Sequence, residues 1–269
     1  MRRKVLFASS SLACILMLIY MYPPRIVSEG KHRIAHLSID DCRGCYIDLI
    51  KHQNEYQSVF NQPFFCFLRK MHDEYDVKFT LYSYYMCNDS LNITMIPSDY
   101  KKELKNNSDW LTISFHAVYA QDNKPTNVST EEFIEAYNRF CIFTSEINGG
   151  GDLLRLDFFY AKPDMVDSLK ARGVKILLAA DDERISYDLS EEQNSELLFS
   201  NSITIDGITY MRSNVRIEKV LEPYWNLYEN MDKDTLVVFT HEWALDRVNR
   251  YKLERFIELL KENNYTFIN

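Results

Sequence analysis

Glycine and proline are both scarce, at seven residues each in a chain of 269. That scarcity excludes a collagen-like or low-complexity chain. No glycine-rich loop of the dinucleotide or P-loop kind occurs, so the usual cradle for a nucleotide's phosphates is missing. An excess of positive charge is missing too: 31 Lys and Arg stand against 39 Asp and Glu, a formal net charge of -8. A field of that sign does not draw in polyphosphate, which excludes nucleic acid as a partner. Cysteine is thin, with five residues (42, 45, 66, 87 and 141) spread along the chain beyond Cys14. An odd number so dispersed is no disulfide framework.

What is present begins at the N-terminus. Arg2, Arg3 and Lys4 precede residues 5–22, "VLFASSSLACILMLIYMY", which carry no charge. That run is just long enough to cross a bilayer as a helix, and its basic flank predicts a cytoplasmic N-terminus with the remainder exported. A cleaved signal peptide is the rival reading, although no small-x-small cleavage site follows. The expected organisation is an anchor or signal segment over 1–22, a polar linker over 23–33 and one folded domain over 34–269, membrane-anchored and extracytoplasmic.

From residue 34 onward, strand-like and helix-like segments alternate. Strands are predicted over 34–40, 77–86, 110–119, 153–161, 174–180 and 235–243, with a hairpin over 203–220 that turns at Asp206-Gly207. Helices are predicted over 56–75, 97–107, 130–143, 162–173, 190–199, 221–230 and 247–263. Such repeats imply parallel pairing, because parallel strands need a crossover. The fold class is therefore α/β, either a closed or nearly closed β/α barrel or a doubly wound sheet. The missing phosphate loop favours the barrel.

Barrel chemistry sits at the carboxyl ends of strands. Polar groups recur there: Asp40 and Asp41 on the first strand, His116 on the third, Arg155 and Asp157 on the fourth, Asp181 and Asp182 after the fifth, and His241 with Glu242 on the last. His116 and His241 close very apolar runs, "LTISFH" and "LVVFTH". Any one of these has an ordinary reading, a helix N-cap for the Asp pair or a satisfied core histidine. Their convergence on one end of the strands is the stronger observation.

As a set, the residues resemble the polysaccharide deacetylases, carbohydrate esterase family 4. "LSIDDC" is similar to a first motif ending in T-F-D-D, "SFHAVYA" to a second ending in H-S-x-x-H, "LLRLDFF" to a third that carries an Arg, and "VVFTHEW" to a last ending in L-x-H. The resemblance implies a distorted (β/α)7-type barrel. It implies Asp40 as general base, Asp41 and His116 as ligands of a divalent metal (zinc foremost), Arg155 as the partner of the base and His241 as general acid. The position of the second motif's final histidine is Ala120, so a third ligand is left open among Asp157, Asp181 and Glu242, with Tyr119 a weaker oxygen donor and His241 itself an alternative ligand.

The implied function is metal-dependent removal of acetyl groups from an envelope or extracellular carbohydrate. Such hydrolysis needs an activated water, a stabilised oxyanion and a protonated leaving group, which metal, carboxylate and imidazole supply. Three rivals stand beside it: a degenerate barrel that binds glycan or scaffolds, a glycosyltransferase using Asp40-Asp41, and dithiol redox chemistry at Cys42-x-x-Cys45. The aspartates beside Cys42 disfavour a thiolate.

Overall fold

In the computed structural model, residues 33–120, 125–230 and 233–269 are described. The expected anchor over 1–22 and nearly all of the linker lie outside them. Among the described residues, no helix is long and apolar enough to cross a membrane.

The strands are β1 (Arg33–Cys42), β2 (Phe79–Tyr84), β3 (Leu111–Ala117), β4 (Leu153–Leu154), β5 (Ile176–Ala179), β6 (Ser202–Ile205), β7 (Ile208–Arg212), β8 (Val215–Arg216), β9 (Thr235–His241) and β10 (Tyr265–Ile268). The helices are α1 (Gly44–Lys51), α2 (Pro63–Tyr75), α3 (Ser98–Asn106), α4 (Thr130–Glu146), α5 (Pro163–Lys170), α6 (Glu191–Ser200), α7 (Pro223–Tyr228) and α8 (Arg247–Glu262).

One sheet runs β3-β2-β1-β9-β8, with β10 beside the start of β1, and a second runs β4-β5-β7-β6. Every pairing is parallel except the β6–β7 hairpin. Hydrogen bonds bridge the sheets at both seams, among them Gly150 N–H to the Ile113 carbonyl at 2.7 Å and Asn214 N–H to the Val237 carbonyl at 2.8 Å. Taking β7 and β8 as one stave kinked at Ser213–Asn214, seven staves surround the interior. β2 is buried along its whole length and β1 nearly so, as expected of parallel strands covered on both faces.

Local chemistry sets the punctuation. Ser129, Ser190 and Asp246 cap α4, α6 and α8 with side-chain oxygens, and Pro63, Pro163 and Pro223 open their helices. The β6–β7 turn has positive φ at both Asp206 (49°) and Gly207 (81°), the tight hairpin turn the dipeptide predicts.

Three expectations are corrected. The strand expected over 153–161 covers only Leu153–Leu154, and left-handed backbone at Phe158 and Phe159 keeps the later residues in a short 3-10 turn instead. The helix expected over 56–75 is a 3-10 turn (Val59–Asn61) and α2, broken at Gln62, whose side chain caps α2. The hairpin expected over 203–220 ends at Arg212, beyond which the chain crosses to the first sheet as β8. β10 pairs with β1 where no strand was expected.

Candidate active site

Asp40 and Asp41 sit at the end of β1, the central strand of the first sheet. Neighbouring strand residues point to opposite faces, so a regular strand would aim only one of them at the site. Asp41 instead has φ of 59°, and the register between β1 and β2 shifts between Ile39 and Cys42. That break lets both carboxylates face the interior mouth. Across the sheet, Asp40 is in register with His241 on β9, which brings the first and last predicted residues together.

Asp40 is buried and ion-paired with Arg155, whose Nη1 lies 3.1 Å from each carboxylate oxygen. The same Nη1 donates to Ser38 Oγ at 2.7 Å, and Nη2 donates to Ser213 Oγ at 3.0 Å. Phe239 packs under the guanidinium, 4.3 Å from its ring centre. Arg155 is wholly buried. It orients Asp40 from within the barrel.

Asp41, His116 and Asp157 form the second group, with one ligand atom from each lying within 4.8 Å of the others. His116 Nε2 is 3.2 Å from Asp41 Oδ1 and 3.8 Å from Asp157 Oδ1. His116 Nδ1 is 2.7 Å from the Arg155 carbonyl. A carbonyl only accepts, so Nδ1 carries the proton and Nε2 is aimed at the carboxylates. Asp41 also accepts from Tyr84 Oη at 2.5 Å and from Trp243 Nε1 at 2.7 Å.

The electrostatics of this cluster are those of a site built for positive charge. Burial opposes the charge on His116, but the hydrogen bond it donates to Asp41 and the charges of Asp157, Asp40 and Asp41 raise its pKa to about 9. Burial likewise opposes the charge on Asp41, and His116 outweighs it, holding that carboxyl well below the usual range. Burial lifts Asp157 to about 6, against the pull of His116. Asp157 Oδ2 is buried with no hydrogen-bond partner. A divalent cation fits here: one imidazole nitrogen held in the correct tautomer and two carboxylates, one of which has an orphaned buried oxygen.

The third group pairs His241 with a residue the sequence reading did not single out. His241 Nδ1 is 2.5 Å from Glu218 Oε1, on the short 3-10 turn after β8. Glu218 also accepts from Arg216 Nε at 2.7 Å and Thr240 Oγ1 at 3.0 Å. Burial works against the Glu218 charge, and His241 and Arg216 overcome it, leaving its pKa at about 2. No motif flagged Glu218; its only sequence signal was a lone acid in a segment expected to be hairpin.

Of the candidate third ligands, only Asp157 joins the cluster. Asp181 is taken by Lys219 at 2.8 Å. Glu242 turns to the start of α1 and accepts the N–H groups of Arg43, Gly44 and Cys45 at 2.7, 2.9 and 2.5 Å. His241 lies with Glu218 rather than among the ligands, and Tyr119 donates to Glu132. Cys42 and Cys45 are free and buried, and burial pushes the Cys42 thiol up to about 12, the opposite of a reactive thiolate. Beside His116 and Asp157 lies a mainly apolar cavity, walled by Val118, Val128, Phe133, Leu156 and Met165.

No protein-family model matches the sequence, and no curated protein matches it. Among solved structures, a 4-alpha-glucanotransferase from Thermococcus litoralis matches at 14% identity and a TM-score of 0.58, over 88% of this chain and 39% of that one. The present chain therefore spans about two fifths of that protein's length. A "putative polysaccharide deacetylase" from Mycobacterium smegmatis matches at 10% identity and a TM-score of 0.51, over 90% of each chain. At such identities the likeness is one of fold. The chain is an α/β domain of mostly parallel strands with the (β/α)7 barrel-like fold of the polysaccharide deacetylases, as the motifs led us to expect.

Proposed function

We propose that this protein is a metal-dependent hydrolase that removes acetyl groups from a carbohydrate. The observation that carries the reading is the Asp41–His116–Asp157 cluster at the strand ends that also carry the Asp40–Arg155 and His241–Glu218 pairs. A divalent cation held by those three side chains would polarise the acyl carbonyl and lower the pKa of a water. Two carboxylates and one imidazole make a hard donor set, suited to manganese or cobalt as well as zinc.

The chain's own residues supply the proton transfers. Asp40, oriented by Arg155, takes a proton from the attacking water as the water oxygen bonds to the acyl carbon. His241, held by Glu218, gives a proton to the leaving nitrogen or oxygen as the bond to the acyl carbon breaks. Acetate and the free amine or hydroxyl are the products. Base and acid thus stand side by side in register on adjacent strands. The apolar N-terminal sequence supports a membrane-anchored protein with its barrel on the extracytoplasmic side.

The test is acetate release from acetylated amino-sugar oligomers by metal-loaded protein, with Asp40→Asn as the control. Release that persists in Asp40→Asn removes Asp40 as base. A second reading, a barrel that binds glycan without hydrolysing it, is favoured by Ala120 at the place of the second histidine. Oligomer binding with no acetate release under any divalent metal would establish that reading instead.

A further inference from the structure

Trp243 is 68% exposed, although it stands at the centre of the site. A single exposed ring is common on a protein surface, and exposure by itself marks no site. This ring, however, is held in place by three separate restraints. Its Nε1 donates to Asp41 Oδ2 at 2.7 Å, and one face lies on the His241 imidazole at 5.0 Å between ring centres and 28° between planes. Its backbone belongs to the 3-10 turn Glu242–Ala244, which the Glu242 carboxylate ties to three N–H groups at the start of α1. Gly44 gives that carboxylate room, since a Cβ there would lie 2.9 Å from Glu242 Oε1 and oblige it to shift. The indole is a rigid plate with one face turned outward.

We infer that Trp243 is the platform on which a pyranose ring of the substrate stacks, on the leaving-group side of His241. A sugar ring offers one face of polarised C–H groups, apolar enough to lie flat on an indole and attracted by its electron-rich face. The other flat ligand class, a nucleotide, carries phosphate, and the side chain bonded to the edge of this plate is a carboxylate, Asp41. A neutral sugar suits that edge better than an anionic nucleotide. With its edge on Asp41 and its inner face on the proton donor, the plate sets a stacked sugar's substituents toward the cluster. The inference rests on the deacetylase reading for what the sugar carries, but not for the stacking.

The experiment is titration of the metal-free full-length protein with an N-acetylglucosamine tetramer, followed by calorimetry and by tryptophan fluorescence. Wild type and Trp243→Phe should bind within a few-fold of each other, because both keep a ring. Trp243→Ala should bind about tenfold more weakly, equivalent to about 1.4 kcal/mol. Trp225→Phe should leave the fluorescence change intact. Unchanged affinity in Trp243→Ala, no binding by wild type, or a signal lost with Trp225 would each overturn the inference. Acetate release separates the two claims. Binding through Trp243 with no release defeats the deacetylase reading and leaves the platform standing. Release with an unchanged KM in Trp243→Ala defeats the platform and leaves the deacetylase reading standing.

Discussion

The carbonyl oxygen of Arg155 accepts the Nδ1 proton of His116 at 2.7 Å. The guanidinium of the same residue holds Asp40. One residue therefore serves the cation cluster with its backbone and the proposed base with its side chain, and substitution can separate the two.

Arg155→Met strips a buried carboxylate of its partner and should destabilise the protein by about 3–5 kcal/mol, read from the urea midpoint. Adding Asp40→Leu should recover a large part of that loss, because the uncompensated charge is gone. Cation binding, measured by calorimetry, should survive in Arg155→Met, since the contact with His116 is made by the main chain. Wild-type stability in the single variant would show that the buried pair does not support the fold.

A second prediction concerns pH. His116 binds its proton more tightly in the folded chain (about 9) than in the unfolded one (6.5), so the bound proton favours folding. That contribution is fully present below pH 6.5 and is lost as the pH rises through 9. The metal-free protein should therefore lose stability on the order of 3 kcal/mol over this window. His116→Gln should flatten the dependence. A cation must displace the same proton, so metal uptake should tighten with rising pH and release about one proton near neutrality, measurable by calorimetry in buffers of different ionisation enthalpy. Uptake without proton release would place the cation away from His116.

The His241–Glu218 pair gives a third. His241→Ala should lower kcat by roughly 100- to 10,000-fold with KM little changed. Glu218→Gln keeps the shape of the contact but removes its charge, and should lower kcat by a smaller factor. A Glu218→Gln enzyme with wild-type kcat would make that carboxylate a structural bystander.

The thiols supply a fourth. A thiol reagent under native conditions should modify Cys66 and Cys141, which are exposed, and reach Cys42, Cys45 and Cys87 only on unfolding. Fast native labelling of Cys42 or Cys45 would reopen the redox reading.

Much of this site was legible because the decisive residues end long apolar strands. "LSIDD", "LTISFH" and "LVVFTH" are buried stretches whose polar ends have only the strand mouth to face. Where strands are short, legibility fails. "LLRLDFFYA" has the composition of a strand, but positive φ at Phe158 and Phe159 is invisible in residue identity, and that curl follows Asp157 directly. Asp157 was one carboxylate among three, and only the fold separates it from Asp181, claimed by Lys219, and from Glu242, claimed by α1. Glu218 was missed because its role depends on how the chain crosses from one sheet to the other after Arg212, which no local pattern encodes.

The left-handed backbone at Asp41 has a consequence for how such a barrel can change trade. Aspartate, asparagine and glycine accept that conformation with least strain, whereas most other residues lose about 1–2 kcal/mol there. Asparagine or glycine at this one position would keep the path of the chain while discarding the charge that draws in a cation. A catalyst and an inert lectin-like receptor on this scaffold are then neighbours in sequence space, one tolerated exchange apart, with no refolding between them.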